Sequence, residues 1–357
     1  MKSKTVVFTG GHHNSSLVVA KALKKEGYQL VWFGRKFGSG GDKSLSAEYQ
    51  EVSATGIQFI ELKAGKFYKK YSLIEFIKIL FGFIQSLVYL IKFKPALIVS
   101  FGGYLAVPVV ISGWLLGIPS VTHEQTVTAG WANKAISPFV KKILLTHNSS
   151  LKNYPVGKSL VVGLPIRPEL FDSKLTKRFK PKLLYISCGK QGSHKVNQAL
   201  FPLIPSLVKH FTIIHQTGAN TLTKDNDKAR RVKESLGKYQ HHYVFAPYFF
   251  TREAATYLKS ASYIISRAGA HLTYELLLLK KHTLFIPIAW ASHNEQLLNA
   301  KLAKKYLPSV ILEEKNLNPE NLAKSLAELS NLKPTSKTIN LPTDATSRIL
   351  KVIYQYL

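Results

Sequence analysis

Two adjacent histidines follow a glycine pair near the start of the chain and are the first residues that could do chemistry. The turn reads Thr9-Gly10-Gly11-His12-His13 and lies between a β-branched run and an amphipathic stretch. Imidazole, with an ordinary pKa of ~6.5, suits a general base at neutral pH, and the first amides of a helix attract anions. The turn therefore predicts an oxyanion or phosphate loop with a histidine base at its rim. A tight strand-to-helix connection without chemistry explains it equally well.

Two further groups of glycine and polar residues follow later apolar runs. One reads Phe101-Gly102-Gly103-Tyr104 and the other reads His123-Glu124-Gln125. Polar residues at the carboxyl ends of parallel strands form the ligand-binding face of such a sheet. We expect both groups on that face, although a structural hydrogen-bonded pair also explains the histidine beside the glutamate.

Three comparable segments lie in the second half of the chain. Gly189-Lys190-Gln191-Gly192-Ser193 resembles a phosphate-binding turn but lacks the ending of a Walker loop. In the segment Ser266–Glu275 small residues open a helix, and Glu275 follows about one turn later. A carboxylate there can accept hydrogen bonds from both ribose hydroxyls, although a carboxylate on the helix surface would look the same. Gln296 and Asn299 are spaced to share one helix face.

The elements that must position these residues alternate between short β-branched runs and amphipathic stretches, a pattern typical of parallel sheets covered by helices. The predicted strands are Thr5–Thr9, Gln29–Phe33, Leu97–Phe101, Ser120–His123, Lys142–Thr146, Leu183–Cys188, Phe211–Thr217, Tyr263–Ser266 and Thr283–Ile286. The predicted helices include Leu17–Glu26, Val107–Leu116, Lys195–Lys209, Arg252–Ser260, Leu272–Leu279 and Asn294–Tyr306.

The pattern restarts near Leu183, after a stretch rich in Pro, Gly and Lys over Tyr154–Lys182 that we interpret as a hinge region. The chain has 357 residues, which is more than the ~250–300 residues that usually fold around one hydrophobic core. We predict two doubly wound α/β domains, residues 1–163 and 164–340, that face a central cleft. A C-terminal helix over 341–357 is expected to pack back on the first domain.

Composition restricts the class of protein. With 46% hydrophobic and 19% charged residues, the chain is not of the disordered class. Its single cysteine, Cys188, excludes a disulfide framework and suits a reducing compartment. Forty-nine basic against 20 acidic residues give a net charge of +29, which points to nucleic acid, an acidic membrane surface or phosphorylated substrates.

No secretory signal or metal-binding motif is recognisable in the sequence. The longest charge-free apolar stretch, Ile79–Ile91, has 13 residues, whereas a membrane-spanning helix needs about 20. We therefore predict no transmembrane segment.

Taken together, the motifs resemble the MurG family of GT-B glycosyltransferases, in the family's order and over nearly the whole chain. The segments that carry the resemblance are Phe101–Tyr104, His123–Gln125, Gly163–Pro168, Gly189–Gly192, His215–Gly218, Ser266–Ala270 and Gln296–Ala300. The resemblance implies inverting, metal-independent transfer of N-acetylglucosamine from UDP-N-acetylglucosamine. The implied acceptor is the undecaprenyl-diphosphate-linked muramyl pentapeptide, so that lipid I becomes lipid II in peptidoglycan synthesis.

The resemblance also implies a role for each matching residue. His12 would be the general base, with Glu124 placing the acceptor or tuning the base, and uracil would be read near Phe249 and Phe250. The implied donor-binding residues are Arg167, Gly189, Gln191, Gly192, Ser193, Arg267, Gly269, Ala270, Glu275, Gln296 and Asn299. The implied acceptor-binding residues are Thr9, Gly10, Gly11, Gly102, Gly103, Tyr104, His123 and Gln125.

The chain departs from the family pattern in a few places. Thr126 stands where an asparagine usually follows the His-Glu-Gln motif, and Ser15-Ser16 replaces a Pro-Gly pair in the first loop. Cys188 replaces a glycine beside the predicted diphosphate turn. Most departures fall on the acceptor side, and the sequence leaves open whether His12 or His13 faces the reaction.

The lipid-linked acceptor gives a function to the apolar, lysine-flanked stretch around residues 63–92. A basic, aromatic-rich helix can lie in an anionic bilayer interface, and a buried core helix is the alternative. The residues expected to contact the membrane are Phe76, Leu80, Phe81, Phe83, Ile84 and Leu87. We expect a peripheral protein at the cytoplasmic face of the cell membrane.

Four alternatives remain open at this level. The same fold could transfer sugar to another lipid, such as a diacylglycerol, or could epimerise UDP-N-acetylglucosamine at C2. A nucleic-acid-binding protein is suggested only by the charge, because the lysines are scattered and no nucleic-acid-binding motif is apparent. A non-catalytic sensor of sugar nucleotides is the fourth.

Overall fold

The computed structural model describes residues 5–37, 44–65, 73–127, 129–189, 192–288 and 294–357. The chain forms two compact units. The first unit contains the chain up to Lys36, Glu48–Arg167 and Leu341–Leu357, and the second contains Phe37–Ala47 and Pro168–Asn340. The C-terminal segment therefore belongs to the same unit as the N-terminal strand.

The first unit is built on a parallel sheet of seven strands in the order β3-β2-β1-β4-β5-β6-β7. The strands are β1 (Thr5–Thr9), β2 (Gln29–Gly34), β3 (Gln58–Glu61), β4 (Leu97–Ser100), β5 (Ser120–Glu124), β6 (Lys142–Leu145) and β7 (Ser159–Val161). The strand order reverses between β1 and β4. In doubly wound sheets, ligands bind outside the carboxyl ends of the strands at this switch point.

Helices cover both faces of this sheet. They are α1 (His13–Lys25), α2 (Ala47–Ser53), α3 (Leu73–Phe93), α4 (Ala106–Leu115), α5 (Trp131–Ile136) and the C-terminal α13 (Ala345–Tyr354). Alternate residues of β1 point to opposite faces of the sheet. On one face Phe8 packs with Leu17 of α1 and Ile349 of α13. On the other face Val7 packs with Val109 of α4. This two-sided burial explains why β1 reads as a continuous apolar run.

One face of α3 packs against the first unit. A Cβ atom on Gly82 would lie only 2.6 Å from Cβ of Ala64, so the helix backbone lies close to the chain that follows β3. The Gln85 amide donates to the carbonyl of Glu61 and accepts from the amide of Lys63, both at 2.9 Å. Close packing and paired polar groups therefore fix this face of the helix in place.

The opposite face of α3 is apolar and exposed. Its exposed residues recur at helical spacing and are Leu73, Phe76, Ile77, Leu80, Phe81, Ile84, Val88 and Ile91. Phe83 and Leu87, which were also expected to contact a membrane, are only partly exposed. The helix therefore presents one continuous apolar stripe, with its remaining apolar residues turned partly inward.

The length of α3 corrects the expectation that the apolar stretch is too short to span a membrane. The segment Glu75–Phe93 has 19 residues and meets the length and composition of a membrane span, with 17% of it buried. The helix continues through Lys78 because lysine is a good helix former, and its ammonium lies 2.8 Å from the Glu75 carboxylate one turn earlier. A charged residue that ends an apolar run in the sequence therefore does not end the helix.

The second unit repeats the doubly wound pattern with six parallel strands in the order β10-β9-β8-β11-β12-β13. The strands are β8 (Leu183–Ser187), β9 (Thr212–Gln216), β10 (Tyr243–Ala246), β11 (Tyr263–Ser266), β12 (His282–Phe285) and β13 (Ser309–Ile311). The helices are α6 (His194–Leu200), α7 (Ile204–Leu207), α8 (Asp225–Glu234), α9 (Thr251–Ser260), α10 (Ala270–Leu279), α11 (Glu295–Lys304) and α12 (Pro319–Asn331). Here the switch point lies between β8 and β11.

The predicted class of two doubly wound, parallel α/β domains is confirmed. The single helix predicted over Lys195–Lys209 is instead α6, a 3-10 turn at Phe201–Leu203 and α7. Pro202 and Pro205 account for the interruption, since proline has no amide hydrogen for the helical ladder. The stretch interpreted as a hinge region contains β7, which pairs with β6 in the first sheet.

Candidate functional site

The candidate site of the first unit lies at the carboxyl ends of β1, β4 and β5. The amide of Gly11 donates to the carbonyl of Gly102 at 2.9 Å. Gly10 has φ +144°, and a Cβ there would lie 2.7 Å from the Phe101 amide nitrogen. The two predicted glycine turns therefore touch, and Gly10 cannot be replaced without moving them apart. Buried Thr9 and the half-buried Gly103 and Tyr104 complete this edge.

The two histidines of the first turn have different environments. His12 is the N-cap of α1 and is half-buried. His13 is the first helical residue, and its Nε2 lies 2.9 Å from Oε2 of Glu51 in α2, with both side chains largely buried. The His13 ring is therefore oriented by a carboxylate of the scaffold. Glu51 lies 38 residues from His13 and belongs to no motif, so sequence reasoning missed it.

Glu124 lies at the end of β5 and accepts hydrogen bonds at both carboxylate oxygens. Its Oε1 accepts from the amide and hydroxyl of Thr126 at 3.0 and 2.7 Å. Its Oε2 accepts from the amide of Gly130, from Asn133 Nδ2 and from the Tyr154 hydroxyl at 2.7, 3.0 and 2.7 Å. Burial alone would raise the pKa of Glu124, but these hydrogen bonds hold it below its ordinary value. The geometry therefore gives Glu124 the role of an ionised anchor for the loop between β5 and α5.

This anchor explains one departure from the family pattern. Thr126 replaces the usual asparagine and satisfies Oε1 of Glu124 with two donors. Asn133 and Tyr154 were missed in the sequence because each lies outside the motif. Both residues donate to the buried Glu124 carboxylate, and this shared partner is visible in the fold but not in the sequence.

The neighbours of Glu124 in the His-Glu-Gln motif also make internal contacts. His123 is buried, and its Nε2 donates to the Gly163 carbonyl at 2.9 Å. Burial lowers the pKa of His123 to about 4, so the ring is neutral at pH 7. The Ser15 hydroxyl donates to Gln125 Oε1 at 3.2 Å and so connects α1 to the loop. His147, at the end of β6, was missed by the sequence analysis, and burial lowers its pKa to about 4 as well.

The candidate site of the second unit begins with the glycine turn after β8. Gly192 has φ +68°, and a Cβ there would lie 2.2 Å from the Thr217 carbonyl oxygen, so this turn packs against the chain after β9. Gln216 Nε2 donates to the Gly189 carbonyl at 2.7 Å, and its Oε1 accepts from the Phe249 amide at 3.3 Å. Through Gln216, the turn is therefore connected to the segment around Phe249, near which uracil was expected to bind. Gln191 lies outside the described residues.

Arg267 connects this turn to three other strand ends. Its Nη2 donates to the hydroxyl of Ser193 at 2.6 Å, and its Nη1 donates to the carbonyl of Ile286 at 3.0 Å. Nη1 also lies 2.6 Å from Oε2 of Glu314, and the carboxylate of Glu314 reaches Lys195 Nζ at 2.8 Å. Arg267 was predicted to bind the donor, and its guanidinium lies in a largely buried network behind Ser193.

The remaining predicted donor residues lie around α10 and α11. Gly269 caps α10, Ala270 begins it, and Glu275 is fully buried, which rules out a carboxylate on the helix surface. Glu275 Oε1 lies 3.0 Å from Nε2 of His271 one turn earlier. Asn299 Nδ2 donates to the Ala268 carbonyl, and Gln296 Oε1 accepts from the Ile288 amide, both at 3.0 Å. The side-chain amides of Gln296 and Asn299 therefore hold α11 against the loops at the sheet edge.

Arg167 was predicted with the donor residues, and it is half-buried at the end of the Glu48–Arg167 segment of the first unit. In the part of the chain that the structure describes, no group of three or more His, Cys, Asp or Glu side chains is arranged to hold a metal ion.

Known protein families match most of the chain. The glycosyltransferase family 28 N-terminal domain matches residues 5–145, and the glycosyltransferase family 28 C-terminal domain matches residues 183–350. Together the two matches contain every strand of both sheets except the short edge strand β7.

Curated relatives match over nearly their full length. A protein of Clostridium kluyveri named UDP-N-acetylglucosamine–N-acetylmuramyl-(pentapeptide) pyrophosphoryl-undecaprenol N-acetylglucosamine transferase is 30% identical over 99% of both chains. A protein of the same name from Clostridium botulinum is 32% identical over 90% of both chains.

Solved structures support the fold. MurG of Acinetobacter baumannii superimposes with a TM-score of 0.62 at 22% identity, over 98% of this chain and 99% of that one. UDP-GlcNAc 2-epimerase from Neisseria meningitidis, bound to UDP-GlcNAc, gives 0.61 at 13% identity, over 98% of this chain and 99% of that one. The predicted GT-B fold is thus confirmed, and from its curated relatives and domain matches the chain belongs to glycosyltransferase family 28, among the MurG-like members that its motifs resemble.

Proposed function

We propose that this family 28 glycosyltransferase transfers N-acetylglucosamine from UDP-N-acetylglucosamine to a lipid-linked muramyl pentapeptide, with inversion at the anomeric carbon. The observation that carries the proposal is the 30% identity, over 99% of both chains, to a relative named for this reaction. The acceptor is the undecaprenyl-diphosphate form that the names of these relatives specify.

In this proposal His12 is the general base. Its imidazole takes the proton from the acceptor hydroxyl as the oxygen attacks the anomeric carbon, and the bond to the diphosphate breaks with UDP leaving. His12 is the histidine that matches the base of the family pattern, and the ring of the neighbouring His13 lies against the Glu51 carboxylate of α2. His12 also lies within electrostatic reach of His123 at the same sheet edge. Positioned proton transfer of this kind contributes roughly 10²–10⁴-fold to a rate.

The loop held by Glu124 supports the acceptor side of the proposal. Because Glu124 is ionised and fully hydrogen-bonded, it acts as a positioning residue that holds Thr126, Gly130 and Tyr154 in place. The half-buried Tyr104 and the glycine contacts at Gly11 and Gly102 provide the adjacent surface. We assign acceptor recognition to this edge of the first unit.

For the donor, we assign the diphosphate to the turn from Gly189 to Ser193, so that backbone amides and the Ser193 hydroxyl stabilise the leaving group. Gln296 and Asn299 lie at the same sheet edge and are assigned to the sugar. Contact between Glu275 and the ribose requires its neighbours to move when the donor binds, because the side chain is fully buried. The reaction as proposed uses no metal ion.

We further propose that α3 binds an anionic membrane surface without spanning it. The helix is packed and hydrogen-bonded along Gly82 and Gln85, and those contacts would be lost if it left the first unit. Its exposed stripe is bordered by Lys78 and Lys92, and Trp114 is exposed on the contacting helix α4. Apolar side chains at the interface and basic groups near anionic lipid both favour binding.

The test is an analysis of products from labelled UDP-N-acetylglucosamine, with and without a short-chain lipid I analogue. The proposal expects UDP and a labelled lipid-linked disaccharide, formed only when the acceptor is present. Formation of UDP-N-acetylmannosamine without acceptor would instead identify a 2-epimerase, the activity of a structural neighbour with the same fold. Labelling of diacylglycerol but not of lipid I would retain the transferase and change the acceptor.

A further inference from the structure

Glu314 is a buried carboxylate outside every sequence motif. It begins the 3-10 turn Glu314–Asn316, shortly after β13, and its side chain is 4% exposed. Oε2 lies 2.6 Å from Nη1 of Arg267, and Oε1 lies 2.8 Å from Nζ of Lys195. Burial by itself would raise the pKa of Glu314, but the two cations hold that pKa below its ordinary value. The carboxylate is therefore ionised and directed at Arg267.

Arg267 transmits this contact to the glycine turn after β8. Its guanidinium is 8% exposed, and Nη1 divides its hydrogens between Glu314 and the Ile286 carbonyl. Nη2 on the other arm donates to the Ser193 hydroxyl oxygen at 2.6 Å. Because the guanidinium is planar and rigid, fixing one arm fixes the direction of the other.

The hydroxyl of Ser193 is the end of this chain of contacts. Its oxygen accepts from Arg267 and, at 3.4 Å, from the Val196 amide. A serine hydroxyl has two acceptor positions and one donated hydrogen. With both acceptor positions used, the hydroxyl is oriented so that its own hydrogen is available to an outside acceptor, and Ser193 is only half-buried.

The four residues come from the carboxyl ends of four adjacent strands. Ser193 follows β8, Arg267 follows β11, Ile286 follows β12 and Glu314 follows β13. This is the edge at which a doubly wound sheet binds its ligand. We propose that Glu314 is a positioning residue for the donor diphosphate, acting through Arg267 to aim the Ser193 hydroxyl at a phosphate oxygen. The inference rests on the donor site assigned under the proposed function.

Charge balance supports a positioning role for this pair. Glu314 carries one negative charge and pairs with two cations, Arg267 and Lys195. The guanidinium directs its Nη groups at Glu314, at the Ile286 carbonyl and at Ser193, so it serves as a fixed donor to Ser193. Removing the carboxylate would leave a buried cation without its partner, which is strongly unfavourable. The guanidinium would then turn towards another anion or towards water, and Ser193 would lose its orientation.

The experiment measures binding of UDP and of uridine to the full chain by isothermal titration calorimetry. Glu314→Gln and Ser193→Ala should each weaken UDP binding roughly tenfold and leave uridine binding unchanged, because uridine has no diphosphate. The double variant should bind UDP no more weakly than Ser193→Ala, since Glu314 acts through that hydroxyl. Glu313→Gln is the matched control: this neighbouring carboxylate is exposed, pairs with Lys315 and should change neither affinity.

The alternative outcomes are distinct. Equal losses for UDP and uridine, unchanged UDP affinity in Glu314→Gln, or fully additive losses in the double variant would each overturn the positioning role. If Glu314→Gln does not fold, Glu314→Asp keeps the charge but shortens the reach, and the same UDP-specific loss is required. Failure of the unaltered chain to bind UDP would overturn the donor site of the proposed function, and this inference with it.

Discussion

The imidazole of His13 and the carboxylate of Glu51 form a largely buried pair, with Nε2 and Oε2 2.9 Å apart. The pair joins the first turn of α1 to α2 and fixes the ring of one of two adjacent histidines. It separates a histidine that holds the scaffold from the neighbouring His12, which we assign to the reaction. The spacing of the two histidines in the sequence could not make this distinction.

His13→Gln and Glu51→Gln should therefore act mainly on stability. Each breaks a buried, charge-assisted contact, and we expect a loss of about 1–3 kcal/mol in the free energy of unfolding, measured by urea denaturation. The double variant should lose less than the sum of the two single variants. The assignment of His13 to the scaffold would be wrong if His13→Gln abolished turnover while stability stayed unchanged.

Tyr154→Phe tests the anchor at Glu124. The hydroxyl of Tyr154 donates to a buried carboxylate at 2.7 Å, so its removal should destabilise the first unit by about 1.5–3 kcal/mol. It should also raise the KM for the lipid acceptor more than it lowers kcat, because the loop loses its shape and the base remains. Tyr354→Phe is the control, since that hydroxyl contacts Glu26 at the surface and should contribute less than ~1 kcal/mol. Equal effects of the two substitutions would contradict the anchor.

Buried histidines predict how stability depends on pH. Burial lowers the pKa of His123 to about 4 and of His215 to about 3, whereas an unfolded histidine titrates near ~6.5. Between pH ~6.5 and about 4 the unfolded chain binds protons that the folded chain does not. The free energy of unfolding should therefore fall as the pH falls through this window. The pKa of Glu124 is also lowered in the folded chain, so protonation of this carboxylate lowers the free energy of unfolding further below pH ~4.3.

Urea denaturation between pH 7.5 and 4.5 measures this dependence. Each such histidine contributes up to about 1.4 kcal/mol per pH unit. His123→Gln, which can still donate to the Gly163 carbonyl, should flatten the profile between pH 6.5 and 4.5. A profile as steep as that of the unaltered chain would show that His123 is not buried in its neutral form.

The exposed stripe of α3 predicts a defined loss of membrane binding. Ile84→Asp places a charge in the middle of the stripe, where the side chain is 59% exposed, and should weaken binding to anionic vesicles at least ~10-fold. Sedimentation with vesicles measures the binding, and thermal unfolding should be unchanged. Leu222→Asp, at a 71% exposed leucine of the second unit, is the matched control. Equal vesicle binding by the two variants would exclude α3 as the membrane contact.

The strands that sequence reasoning missed have a common position in the fold. β3, β7, β10 and β13 are the outermost strands of the two sheets. An edge strand has a single neighbour and is only partly covered, so Gln58–Glu61 and Ser159–Val161 lack the apolar runs that identify central strands. Central strands such as β1 and β8 were predicted because burial on both faces requires those runs.

The candidate site could be predicted as far as its backbone turns and no further. Glycine pairs that follow apolar runs identify the sheet edges, and the contact between Gly11 and Gly102 agrees with that expectation. The partners that orient the side chains could not be found, since Glu314 pairs with Lys195 across 119 residues and Tyr154 with Glu124 across 30. Such pairs depend on how strand ends meet in space, which local patterns do not encode.

Acceptor-dependent release of UDP by His12→Ala, His13→Gln and the unaltered chain tests the central claim most directly. With UDP-N-acetylglucosamine and a short-chain lipid I analogue, the account predicts turnover by the unaltered chain and a loss of roughly 10²–10⁴-fold in kcat for His12→Ala. His13→Gln should retain most of its kcat under conditions in which it is folded. Full activity of His12→Ala, or release of UDP that does not depend on the acceptor, would contradict the account.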